Sequence, residues 1–322
     1  MNMYPLKFHP ILKERLWGGT KLKEVLGKSI DSDITGESWE LSTVKGDVSM
    51  VSNGDIAGTS LQELINSNPE GLLGKSVAKR FGKEFPILIK FIDAKQDLSI
   101  QLHPNDELAK KRHDSFGKTE MWYIMDADQD ANLIVGFNKA VTKEEYSKSL
   151  EKDTLLDLMN YETVKEGDTF FINTGKIHAI GAGVLLAEIQ QTSDVTYRVF
   201  DFNRRDKDGN LRELHTEMAL DAIDYEMKDD FKVAYPKVKD TVNTMVDCPY
   251  FKTNFLELTD DMDQNVSARD SFTIYMCVGG KATISNEYGT AEIEKGETIL
   301  VPADSKKIGI QTSGAKLLEV TI

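Results

Sequence analysis

Residues Gly167 to His178 read GDTFFINTGKIH, and towards the end of the chain Gly296 to Lys307 read GETILVPADSKK. Aligned without gaps, Gly167 falls on Gly296, Phe171 on Leu300, Asn173 on Pro302, Gly175 on Asp304 and His178 on Lys307. Each copy opens on a glycine and runs through a short apolar stretch that reads as a strand, so the repeat predicts two related β units in one chain. The flanking sequence supports this. Strand-like runs occur at 85–91, 98–103, 120–125, 131–137, 168–172 and 183–189, and again at 272–278, 282–285 and 298–301. Helical signals are fewer: Thr142 and Glu145 form a capping-box pattern opening a helix over 143–159, with weaker candidates at 60–73 and 216–225. Strand and helix do not alternate regularly, which disfavours a parallel α/β sheet. The expected class is mainly β, two barrels with helical insertions. At 322 residues the chain suggests about two domains. Charges crowd between Asp221 and Lys239 around Pro236, which places the boundary there and divides the chain into 1–238 and 239–322.

The spacing of the repeat resembles the second sequence motif of the cupins: glycine, five residues, proline, one residue, glycine, two residues, histidine. That resemblance implies that both units are jelly-roll barrels. The first copy carries Asn173 at the proline position; the second carries Asp304 for glycine and Lys307 for histidine. An ammonium has no lone pair to offer a metal. Only the first barrel therefore keeps an imidazole, and the second is expected to be structural and metal-free.

Composition narrows the function classes. Hydrophobic residues make up 40% and charged residues 29%, and the formal net charge is −14. A surface of that sign repels nucleic acid and anionic membranes at long range, while leaving room for a small anion at a local cluster of cations. Cys248 and Cys277 form no metal or redox motif and no disulfide framework. The first twenty residues hold no apolar stretch suited to a signal peptide or membrane span, so a cytoplasmic location is expected.

The chemistry concentrates in three places. In DLSIQLHPND (97–106), strand alternation puts Ser99, Gln101 and His103 on one face and Leu98, Ile100 and Leu102 on the other, as at the wall of a small barrel with a polar lumen. In GKTEMWYIM (117–125), Lys118 and Glu120 share a face, and His178 follows the turn at Gly175. Gln101, His103, Glu120 and His178 supply an amide oxygen, a carboxylate and two imidazoles, a set suited to one divalent transition ion. Zinc is the leading choice, with another divalent metal open. A neutral Gln in place of a second carboxylate leaves the ion a good Lewis acid. His9, His113 and His215 read as ordinary surface or core histidines. Taken singly, Trp17 reads as a core aromatic, Arg198 as a cation closing a strand end, and Lys118 as undiagnostic.

The longer segments PLKFHPILKERLWGG (5–19), GESWELS (36–42), FPILIKFIDAKQDLSIQLHPND (85–106), GKTEMWYIMDA (117–127) and GKIHAIGAGVLLAEIQQTSDVTYRVFDFNR (175–204) resemble the short bacterial type I mannose-6-phosphate isomerases, zinc enzymes of the cupin superfamily. The resemblance implies interconversion of mannose 6-phosphate and fructose 6-phosphate, with Gln101, His103, Glu120 and His178 on one zinc ion. It further implies that Lys118 and Glu188 sit in the reaction chamber, with Arg198 at the substrate, Ser99 at its phosphate and Trp17 as an aromatic wall. Two other classes compete: a cupin that binds a sugar without turnover, and an iron- or manganese-dependent cupin oxygenase or decarboxylase. The Gln ligand speaks against the oxygenase, because such sites favour two histidines and one carboxylate.

Overall fold

The two copies of the repeat fold alike in the computed structural model, which describes residues 3–206 and 208–322. Gly167 and Gly296 have φ of +84° and +92°, a region where a Cβ is penalised. Each donates its amide to a carbonyl of the preceding sheet, Gly167 to Ile124 and Gly296 to Cys277, both at 2.9 Å. Each then opens a short buried strand, Thr169–Ile172 or Thr298–Val301. The copies part at the turn. Gly175, at φ +81°, donates to the His103 carbonyl at 2.8 Å and so draws His178 against the strand end that carries His103. In the second copy Lys307 is exposed to solvent.

Two antiparallel sheets enclose the first core. A six-stranded sheet runs in spatial order Thr169–Ile172, Glu120–Ala127, Val184–Gln191, Ile87–Ala94, Thr35–Leu41 and Ile11–Gly19. A five-stranded sheet runs Met159–Thr163, Asn132–Phe137, His178–Ile180, Ile100–Leu102 and Tyr197–Phe200. Between them pack Trp17, Ile92, Trp122, Ile124, Leu133 and Ile180 from both layers. The outer face of the smaller sheet, including Ile100 and Leu102, buries against the Lys143–Glu151 helix and its neighbours. The other face of the larger sheet joins a core shared with the C-terminal half, whose nine-stranded sheet also includes the Leu6–Lys7 strand, paired with Thr298–Val301.

Several elements differ from the sequence reading. The helix over 143–159 ends at Glu151, where Asp153 turns the chain at φ +55°, and a 3-10 turn at Leu155–Leu158 leads into the Met159–Thr163 strand. The capping box at Thr142 and Glu145 is present. The helix over 60–73 is two helices, because Asn68 caps a new start at Pro69. The run at 98–103 is a strand only at Ile100–Leu102, and Leu98 leaves the alternation to pack inward with Trp17 and Trp122. The runs at 272–278 and 282–285 are one strand, Thr273–Asn286, interrupted by a bulge between Cys277 and Gly279. Among the described residues no helix is long and apolar enough to cross a membrane.

Candidate active site

Cross-strand register builds one wall of a cavity of about 490 Å³ between the two sheets. Trp39 lies opposite Lys90, Lys90 opposite Glu188, and Glu188 opposite Trp122, a row of four inward-facing side chains across four strands. Two residues along, Gln190 lies opposite Glu120. The smaller sheet supplies the facing wall, where His178 and Arg198 flank Gln101 on its two sides. Lys118 enters just ahead of the Glu120–Ala127 strand. Gln101, Lys118, His178, Glu188, Arg198, Ser99 and Trp17 all line this single cavity.

At its floor the histidines have been assigned tautomers by their surroundings. His178 Nδ1 lies 2.8 Å from the Lys176 carbonyl, and His103 Nδ1 lies 2.8 Å from the Val195 carbonyl. A carbonyl only accepts, so each Nδ1 must carry the proton. Burial, with the nearby Lys118 ammonium next for His103, depresses both rings, His178 to about 4, so both are neutral. Each Nε2 is then a bare lone pair. His178 Nε2 faces Glu120 Oε1 at 3.5 Å, and neither atom has a hydrogen-bond partner among the described residues. His103 Nε2 faces Glu120 Oε2 at 3.6 Å. Lys118 reaches both atoms of the second contact, but the first is a lone pair aimed at a carboxylate oxygen, which is unfavourable in a buried site unless a proton or a cation joins them. The three ligand atoms lie within 4.8 Å of one another, which fits a divalent ion, and the carbonyl bonds to Nδ1 are the outer support such ligands use.

Charge on the wall is arranged around this floor. The Lys118 ammonium lies 2.9 Å from Glu120 Oε2 and 3.1 Å from His103 Nε2. Burial pushes the Glu120 carboxyl up to about 7, helped by Glu188 and opposed by Lys118. Burial also acts to raise Glu188, but Lys90, 3.1 Å away, and Lys118 outweigh it and hold the group down at about 2. Glu188 Oε1 accepts from the Trp122 indole at 3.0 Å, and Oε2 accepts no aligned hydrogen bond. Across from Gln101, Arg198 Nε donates to Ser99 Oγ at 3.3 Å and one terminal nitrogen donates to the Glu213 carbonyl at 2.9 Å. Arg212, held by Asp201, adds a guanidinium to the cavity lining beside those of Arg198 and Arg15.

Comparison with known proteins places this architecture. The profile for "Phosphomannose isomerase type I, catalytic domain" matches residues 5–151, and that for "Mannose-6-phosphate isomerase, cupin domain" matches residues 241–320. The mannose-6-phosphate isomerase ManA of Bacillus subtilis is 38% identical over 306 residues, covering 94% of both chains. The chain belongs to the type I phosphomannose isomerase family. Within that family the mannose-6-phosphate isomerase of Streptococcus mutans is 32% identical over 299 residues, 92% of each chain. The crystal structure of the Bacillus subtilis mannose 6-phosphate isomerase superposes with a TM-score of 0.89 at 31% identity, covering 99% of this chain and all of that one.

This phosphomannose isomerase family member also presents cavity residues that the sequence reading passed over. Lys90, Trp39, Glu37 and Trp122 line the same space. The Glu37 carboxylate accepts from Trp39 Nε1 at 2.9 Å and pairs with Arg15 at 2.7 Å. The available signal was a lone charge inside a wholly apolar run. Lys90 in FPILIKFI has no reason to be buried unless it faces an anion. His113 and His215, read as ordinary histidines, lie outside the cavity lining and pack at a tilt against Tyr197.

Proposed function

We propose that the chain interconverts mannose 6-phosphate and fructose 6-phosphate, with one zinc ion held by Gln101, His103, Glu120 and His178. The reading is carried above all by His178 Nε2 and Glu120 Oε1, buried 3.5 Å apart with no hydrogen-bond partner among the described residues, beside His103 Nε2 and in a cavity also lined by Arg198 and Arg212. Family membership supports the same assignment. Gln101 joins the set because it lies beside His178 in the sheet and lines the cavity. When bound, the ion supplies Lewis-acid stabilisation for charge on the sugar's O1 or O2.

The reaction moves a proton between C2 and C1 of the open-chain sugar through an enediol(ate). Glu188 is assigned the proton transfer: it is ionised at neutral pH, it lines the cavity, and its Oε2, beside Lys90, has no aligned hydrogen-bond donor among the described residues. The cations that keep it ionised also lower its basicity, so the carbonyl must be polarised in the same step. Lys118 brings an ammonium to the charge that develops on the sugar oxygens. Arg198 and Ser99 are assigned the phosphate, by charge-assisted hydrogen bonds, with Arg212 beside them. Arg198 lies directly across from Gln101 on the neighbouring strand, and Ser99, two residues before Gln101, donates to its Oε1 at 3.3 Å, so the phosphate site adjoins the ligand set. Trp17 closes the apolar side of the pocket. The division into a catalytic unit, 1–238, and a metal-free unit, 239–322, is part of this reading, as is a cytoplasmic location with no nucleic-acid or membrane partner.

The test is a coupled assay on purified protein with mannose 6-phosphate, before and after chelation. Turnover that is lost on chelation and returns with zinc supports the proposal. Full turnover by metal-free protein removes the ion from it.

A further inference from the structure

Lys118 precedes its strand, so no sheet ladder fixes it, yet its ammonium must sit between two ligand side chains. A hydrogen-bonded clamp does the fixing. Asp106 Oδ1 accepts from the Gly117 amide at 2.8 Å, and Gln191 Oε1 accepts from the Thr119 amide at 2.9 Å. The Gln191 amide donates back to the Thr119 carbonyl at 3.1 Å. Gln191 Nε2 donates to Asp106 Oδ1 at 3.0 Å, joining the two grips. The residues on both sides of Lys118 are thus held by their backbone amides to side chains that hold each other. A Cβ at Gly117 would lie 2.7 Å from the Asp106 amide nitrogen, so glycine is what admits this approach.

The clamp continues across the molecule. Asp106 Oδ2 accepts from the Tyr250 hydroxyl at 2.8 Å, and Tyr250 stands just before the Lys252–Leu258 strand of the nine-stranded sheet. Arg80 lies over the Tyr250 ring, 6.0 Å from its centroid, and donates to the Pro249 carbonyl at 2.7 Å, which anchors the segment. Burial, then the Asp106 carboxylate, push the Tyr250 phenol up to about 12, so it keeps its proton and donates.

We propose that Tyr250 is a positioning residue for the reaction, acting through Asp106 and Gln191 on Lys118. The metal-free C-terminal unit then contributes to the chemistry by rigidity rather than by ligands. The inference rests on the isomerase reading and on Lys118 as the charge-stabilising group within it.

The experiment is steady-state kinetics of full-length, zinc-loaded protein on mannose 6-phosphate. Tyr250→Phe keeps the ring and removes one hydrogen bond to a charged group. It is expected to lower kcat roughly three- to tenfold, with KM within about twofold and zinc content unchanged. Asp106→Ala lowers kcat further. Asp106→Asn restores most of that loss, because its amide oxygen still accepts from Gly117 and its NH2 can donate to the Tyr250 oxygen. In a Lys118→Ala background, Tyr250→Phe changes the residual kcat by less than about twofold, since the group it acts through is gone. A wild-type kcat in Tyr250→Phe, or an equal loss with and without Lys118, overturns the proposal even if Asp106→Ala fails to fold. Wild-type protein that does not turn over mannose 6-phosphate overturns the isomerase reading with it, whereas an active wild type matched by Tyr250→Phe removes the positioning role alone.

Discussion

Replacing Glu120 with Gln should make the metal-free protein more stable while abolishing its response to zinc. Without the ion the carboxylate is buried beside two imidazoles and the Lys118 ammonium, and burial, with Glu188 adding to it and Lys118 opposing it, pushes the group up to about 7 from a usual value of 4.5. A carboxyl raised in the folded state costs nothing below the unfolded value. It destabilises progressively as pH climbs to the folded value, and fully above it. The gap corresponds to about 3 kcal/mol above pH 7, with the opposing pull of Lys118 already included in it. For a chain this long that is roughly 4–5 °C in Tm. A carboxamide has the same shape, carries no charge, and can donate to His178 Nε2. Thermal melts of chelated protein should therefore show Glu120→Gln above wild type at pH 8, with the difference shrinking towards zero near pH 5. Zinc should raise the wild type above both and leave the variant where it was. A metal-free variant that melts below the wild type equally at pH 8 and pH 5 would show that the carboxylate is not an uncompensated anion, and the argument for the ion would fail with it.

Lys118→Ala should retain zinc by metal analysis and lose kcat about 10²- to 10³-fold, the usual scale for removing one charge-stabilising donor. Arg198→Ala should raise KM for mannose 6-phosphate by about tenfold or more while leaving zinc content unchanged, measured against Arg198→Lys, which keeps the charge but loses the planar fork. Lys307→Ala should leave zinc content and kcat unchanged and move Tm by no more than about 1 °C, because the side chain is solvent-exposed.

Much of this site was legible in the residues because strands impose a period of two. Gln101 and Ser99 could be placed on one face, and Lys118 with Glu120 on another, before any fold was known. The repeat at Gly167 and Gly296 was readable because both positions require a left-handed backbone that glycine tolerates. What escaped was whatever depends on non-local register. Nothing near Glu188 in the sequence says that Lys90 will lie opposite it, or that Trp39 will complete the row. The strands Ile11–Gly19 and Thr35–Leu41 went unread because charged cavity residues such as Arg15 and Glu37 interrupt their apolar pattern. The same function that hides those strands from a hydrophobicity reading is what makes them part of the pocket. Helix ends were misplaced where one residue decided them: Pro69 started a new helix and Asp153 ended another.

The most direct test is a crystal of the zinc-loaded protein measured on both sides of the zinc absorption edge. The account predicts one anomalous peak per chain, enclosed by His103 Nε2, His178 Nε2, the Glu120 carboxylate and the Gln101 amide oxygen, at bond lengths of about 2.0–2.2 Å. No peak at that position, or a sole peak elsewhere on the chain, contradicts it.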